Sequence, residues 1–342
     1  MSVFKKMTME MNKKRVICLL AGGACVLLLS AAAILTVVTR PLNTTDDDMC
    51  LLVDADDNVD SVQVKLGSPT GWHLLVATGY HVHTGRYVVH PGDRLYKVFR
   101  RLRGGQQDPM ELPIPSLRTL PKLASYLSHK LMLDSASIAT HFADTAFCHT
   151  FGLTPQTLPA LFVPNTYEVY WDTTLPALMH RLQAEHRRFW EGKRTTQAQT
   201  IGLTPVEVCT LASIVDEETA VNAEKPMVAG MYVNRLHIGM PLQADPTVKF
   251  AIGDFSLRRI YHDHLKVESP HNTYIHPGLP PGPIRIASIA GIDAVLNHVH
   301  HDYLYMCAKE DFSGTHNFAR TYAQHLDNAR RYAKALNARN IH

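Results

Sequence analysis

The sequence predicts an α+β protein in three parts: a single N-terminal transmembrane helix, a small mixed domain and a larger mixed α+β domain. Three observations predict it. An uncharged, largely apolar run occupies residues 16–39. Short strand-like segments separated by turn residues follow it. From residue 119 onward, helical periodicity with marked start and stop signals takes over.

The bulk numbers agree. With 342 residues, 46% of them hydrophobic and 19% charged, the chain can bury more than one minimal core. Its 34 basic and 31 acidic side chains nearly balance, so no nucleic-acid partner is expected. Of six cysteines, Cys18 and Cys25 fall in the apolar run and Cys50, Cys148, Cys209 and Cys307 are scattered. That pattern indicates neither a disulfide framework nor a zinc knuckle.

As a helix, Val16 to Thr39 would reach roughly 36 Å, enough to cross a bilayer. Lys5, Lys6, Lys13, Lys14 and Arg15 precede it, and Asp46, Asp47 and Asp48 follow. The positive-inside rule therefore makes residues 1–15 a cytoplasmic tail and sends everything beyond about residue 40 outside. Apolar Ile34, Leu35, Val37 and Val38 continue past Ala31-Ala32-Ala33, which favours a retained anchor over a cleaved signal peptide.

Residues 44–118 read as a small domain. Ser61–Leu66, Trp72–Val76 and Gly85–Val89 carry strand patterns. Pro91-Gly92 makes a turn, Asp93 is a candidate cap, and Leu95, Val98, Phe99 and Leu102 give a helix its apolar face before Gly104-Gly105 ends it. This strand, turn and helix unit resembles a LysM-like fold, as a glycan-holding or a purely structural module. Residues 119–198 read as a helical connecting region, with helices started by Thr119-Leu120-Pro121 and by Thr174. The polar stretch 192–200 is the expected boundary of the last domain, 199–342.

The chemistry concentrates there. Thr204-Pro205-Val206-Glu207 is a capping box with proline in the first turn, so a helix starts at this point. Counting about 100° per residue from Val208, the apolar Leu211, Ala212, Ile214 and Val215 fall on one side. Asp216 projects near 80° and Glu217 near 180°, away from the centre of that stripe, whereas Glu218 projects near 280°, between Leu211 and Ile214. A carboxyl on the apolar side of a helix is desolvated. Its pKa rises toward the range in which it can donate a proton at neutral pH, which suits a general acid. The alternative is a buried glutamate paired with an arginine such as Arg235.

Around it lie loops rich in proline, glycine, amides and an aromatic: Gly239 to Thr247, read as extended, then Ser269 to Tyr274 and Gly278 to Pro283. Such loops suit the walls of a sugar-binding cleft. Together the segments resemble the endolytic murein transglycosylase, or YceG-like, family. The residues that carry the resemblance are Leu211 to Thr219, Asn234-Arg235-Leu236, Leu242 to Thr247, Asn272-Thr273-Tyr274, Gly278-Leu279-Pro280-Pro281-Gly282 and Gly314-Thr315-His316, with Phe162 to Tyr167 as an earlier match.

The resemblance implies an inner-membrane, single-pass enzyme with its catalytic domain in the periplasm. It would cut within new peptidoglycan glycan strands and leave 1,6-anhydro-muramic acid ends. Glu218 matches the family's catalytic glutamate, and Asp216 and Glu217 are more acidic than the family's commoner residues there, which should raise the Glu218 pKa further. Gln243, Asp245, Asn272, Tyr274 and His316 are the candidate substrate-binding residues. Glycan strands and the membrane are the expected partners, with cell-wall synthases as candidates. Neither cofactor nor metal is expected, since His262-x-His264 and His298-x-His300-His301 are spacings that more often mark solvated histidines than ligands. Two rival functions stand beside this: a hydrolase using Asp245 as a second carboxylate, and a non-catalytic peptidoglycan-binding scaffold.

Overall fold

The computed structural model describes residues 2–257 and 259–339. The chain divides into two compact units after Met110. In the first, α1 (Ser2–Val38) includes Lys14–Val38, a stretch long and apolar enough to cross a membrane. Strand β1 (Met49–Val53) is followed by two short helices, α2 (Val59–Lys65) and α3 (Trp72–Val76), then by β2 (Gly85–Val89) and α4 (Leu95–Arg103). The two strands pair antiparallel, Met49 opposite Val89 and Val53 opposite Gly85. Trp72, Phe99, Leu102 and Val62 fill the core.

Two of the expected strands are helices. Asn58 caps the first of them, accepting from the backbone N–H of Asp60 and Ser61, and the Ser61 hydroxyl answers with a capping-box bond. The Val62, Val64, Leu66 alternation that suggests a strand is split by the helix: Val62 and Leu66 are buried and Val64 is exposed. In α3, Trp72 and Leu75 lie three apart on the buried side. Asp93 does not cap α4. Arg94 holds that position, and the Asp93 carboxylate accepts from Lys97 Nζ at 2.6 Å and His90 N at 3.1 Å.

The second unit holds the rest apart from residues 170–172. Strand β3 (Met110–Pro113) pairs with β4 (Thr166–Val169), and between them run α5 (Leu120–Lys130), α6 (Ser135–Ala143) and α7 (Thr145–His149). Then come α8 (Leu175–Trp190), α9 (Lys193–Thr200), α10 (Pro205–Glu218), α11 (Lys225–His237), α12 (Asp245–Ile252) and α13 (Ile289–Leu296). A hairpin of β5 (Tyr305–Ala308) and β6 (His316–Ala319), followed by α14 (Tyr322–Ala338), ends the chain. The polar stretch read as a boundary is α9, and its Ala198 is buried in the same core as α10. Residues 119–169 and 173–339 therefore fall in one compact unit.

Helix α10 is the axis of that unit. Thr204 forms the expected capping box with Glu207. Every residue from Val208 to Val215 is buried, as a helix surrounded by others must be. The other helices come close because small residues let them. A Cβ on Gly291, in the first turn of α13, would lie 2.5 Å from the Asp216 carboxylate. One on Gly282 would lie 2.1 Å from the carbonyl oxygen of Gln156, which explains why that proline-rich loop needs glycine there.

Candidate active site

The last turn of α10 separates its three acids. Asp216 is buried and pairs with Lys225 Nζ at 2.7 Å. It also accepts from Ser288 N at 2.6 Å and Ser288 Oγ at 2.8 Å, which fastens the start of α13. Glu217 receives Arg118 through two nitrogens, each at 2.8 Å, and Arg285 Nη1 at 2.8 Å. Glu218, the final residue of α10, has no ion-pair partner among the described residues. Its Oε1 accepts from the Tyr232 hydroxyl at 2.6 Å, and its Oε2 has no hydrogen bond among the described residues.

Glu218 sits in a cleft of about 300 Å³ and is half-buried because one side faces that space. The protein packed around the carboxyl pushes its pKa up from 4.5 to about 7, chiefly by desolvation. The Tyr232 bond and the charges of Arg235 and Lys249 pull the other way, while Asp245 adds to the rise. Asp216 and Glu217 do not drive the shift as expected, since Lys225, Arg118 and Arg285 compensate their charges. Arg235 is not paired with Glu218 either. Its Nε donates to Leu304 O and its Nη1 to Leu242 O, both at 2.6 Å.

Four of the five expected substrate contacts line the same cleft: Gln243, Asp245, Tyr274 and His316. Gln243 adopts a left-handed backbone with φ of 49°, and its side-chain amide makes no hydrogen bond among the described residues. Asp245 is not in an extended loop. It opens α12, and its Oδ1 accepts from the Tyr274 hydroxyl at 2.6 Å. The His316 ring is held by Glu224, with 3.0 Å between Nδ1 and Oε2, and the His316 backbone N–H donates to the other oxygen of the same carboxylate.

Asn272 is the exception. It is 0% exposed, its amide nitrogen donates to Leu265 O and Val267 O, and its Oδ1 accepts from Tyr274 N. With every polar atom engaged by backbone, it holds the loop and has nothing left to offer a ligand. Thr273 does the same work on the other side, accepting from Ala244 N and bonding Thr247 Oγ1. Asn272 and Thr273 thus fix the loop that carries Tyr274 into the cleft.

The YceG-like family model matches residues 60–331, most of the chain. The chain belongs to the YceG-like family. This YceG-like chain is 38% identical over 131 residues to a Bacillus subtilis protein named endolytic murein transglycosylase, a match covering 38% of this chain and 36% of that protein. A Streptococcus pneumoniae protein of the same name is 30% identical over 155 residues, covering 44% and 28% respectively. The matches thus span about a third of the length of these curated relatives. A yceG-like protein from Listeria monocytogenes, known from a 2.6 Å crystal structure, shares the fold with a TM-score of 0.58 at 22% identity, over 83% of this chain and 99% of that one.

Several residues of the YceG-like cleft escape sequence reasoning. Tyr232 is one of them: it lies three residues before Arg235 on α11 and so shares a face with it, a spacing that could have pointed to Tyr232 once Arg235 was set beside Glu218. The opposite wall has no such signal. Tyr305 stacks on His325 with ring centroids 5.5 Å apart, and Tyr322, 59% exposed, lies beside both. Among the described residues, no group of three His, Cys, Asp or Glu side chains is arranged to hold a metal ion. The His301 ring faces the Met227 carbonyl and the Tyr303 backbone N–H.

Proposed function

We propose that this chain is a membrane-anchored endolytic murein transglycosylase, cleaving the bond between N-acetylmuramic acid and N-acetylglucosamine within nascent strands. The observation that carries the reading is the Glu218 carboxyl at the cleft, without an ion-pair partner among the described residues, held on one oxygen by the neutral Tyr232 hydroxyl and with its pKa raised to about 7. Protonated on Oε2, it donates to the glycosidic oxygen as the bond to C1 breaks. The carboxylate so formed accepts the proton of the muramic acid C6 hydroxyl as that oxygen bonds to C1. The nucleophile belongs to the substrate, so its attack is unimolecular and no second carboxylate is needed. The Gln243 amide, Tyr274 and the Tyr305 and Tyr322 rings would orient the sugars, with His316 at the edge.

The test is product analysis. Strands digested by wild type should end in 1,6-anhydro-muramic acid, one water lighter than reducing ends by mass spectrometry, and Glu218→Gln should produce none. The presence of Asp245 in the same cleft keeps a second reading in view, an enzyme that activates water between two carboxylates. Predominantly reducing ends, lost in Asp245→Asn, would establish that reading instead.

The same proposal covers the first unit. The basic flank before Val16 supports an N-terminus in the cytoplasm, with the cleft outside the inner membrane. A periplasm-dependent phosphatase fused after the last residue should be active, and an inactive fusion would reverse the topology. The 44–118 segment would act as the LysM-like module. Binding of purified glycan by that segment, or its absence, decides whether it holds substrate. Cell-wall synthases remain the partner class to seek by cross-linking.

A further inference from the structure

Arg235 is 6% exposed and has no acidic partner among the described residues. Burying a guanidinium without a counter-charge is costly, and the proteins that do so usually supply an anion from somewhere. Two of its three nitrogens are spent on the backbone carbonyls of Leu304 and Leu242. Nη2 has no hydrogen bond among the described residues, and Arg235 belongs to the cleft lining. The Tyr305 ring lies 5.5 Å from the guanidinium carbon and helps to set its plane. Two carboxyl groups line the cleft with it. Glu218 is neutral when loaded with the proton it must deliver, and Asp245, held by the Tyr274 hydroxyl, makes no ion pair with the guanidinium. In the state that is ready to react, the buried cation therefore lacks an anion of its own.

We propose that Arg235 Nη2 is an anion subsite that binds a carboxylate of the glycan substrate and makes the enzyme prefer charged strands. This rests on the reading of the cleft as a glycan site. The carboxylate has two possible sources, the lactyl group of a muramic acid that carries no peptide, or an acidic residue of the stem peptide. A charge-assisted bond to a fixed, desolvated guanidinium is among the stronger single contacts a site can offer.

The experiment uses four defined glycan oligomers and the full chain. Two lack peptides, with lactyl carboxylates either free or converted to amides. Two carry stem peptides, with carboxylates either free or amidated. Wild type should favour the charged member of one pair by about tenfold or more in kcat/KM, and the pair that responds identifies the source. Arg235→Gln should lose that preference whatever its overall rate. Because Arg235 also holds two carbonyls, its variant must melt as a folded protein, but the wild-type comparison needs no variant. Equal handling of both pairs by wild type would overturn the subsite, as would a folded Arg235→Gln that keeps the preference. Should no oligomer yield anhydro ends, the proposed reaction fails instead, and calorimetric binding of the four oligomers to Glu218→Gln still reads the preference by itself.

Discussion

The two sides of one helical turn treat their carboxylates in opposite ways. On one side, Asp216 and Glu217 are saturated: one lysine, two arginines and a serine satisfy them, and they tie α10 to α13 and to residues 118 and 285. On the other, Glu218 is given a single neutral donor and a low-dielectric setting. Sequence adjacency says nothing about role here. What separates a structural acid from a proton donor is whether the surroundings stabilise its charge or withhold that stabilisation.

The sharpest way to break this contrast is Glu218→Gln, which keeps the shape but cannot carry a proton. Cleavage should fall by at least about 10²-fold, measured on released anhydro ends, and near-normal turnover by the folded variant would end the comparison. Asp216→Asn should do the reverse, leaving Lys225 buried without its partner and costing about 3 kcal/mol of stability while cleavage per folded molecule survives. Chemical denaturation gives the first quantity and active-site-normalised rates the second. Loss of chemistry with no loss of stability would erase the distinction.

A third test uses pH. Because folding raises the Glu218 pKa from 4.5 to about 7, the folded state favours the proton. Its cost to stability is absent below the ordinary carboxylate range, grows as pH rises toward 7 and is complete above it. Glu218→Gln should therefore be more stable than wild type at pH 8, by up to about 3 kcal/mol, and nearly equal to it only at about pH 4, below the ordinary carboxylate range. A stability difference that did not change with pH would contradict the raised pKa. The smallest effect belongs to Tyr232→Phe. Removing the bond that favours the carboxylate should move the alkaline limb of kcat/KM upward by about one pH unit. A purely structural tyrosine would lower the rate without moving the limb.

How much of the molecule is legible in the sequence depends on how local the signal is. Helix α10, its Thr204 cap and the inward aim of Glu218 follow from spacing within a single helix. The Ser61–Leu66 alternation misleads because a two-residue period over so short a run also fits a helix with one exposed valine, and Asn58 decides the matter. Asn272 reads as a sugar-binding amide because sequence cannot show whether an amide faces a cleft or its own loop. The far wall is invisible because it exists only once β5 pairs with β6, Tyr305 opposite Ala319. Nothing near Tyr305 in the chain announces Tyr322 or His325 as its neighbours.

The left-handed backbone at Gln243 bears on how the protein could be improved or spoiled. A non-glycine residue there carries strain of about 1 kcal/mol, held in place by Leu242 and Ala244, both fully buried on either side. Gln243→Gly should release that strain, leaving the melting temperature unchanged or higher, yet delete an amide that faces the cleft. Screens for thermal robustness would accept this change and screens for glycan cleavage would reject it. Position 243 is thus a place where selection for endurance and selection for turnover pull the same residue in opposite directions.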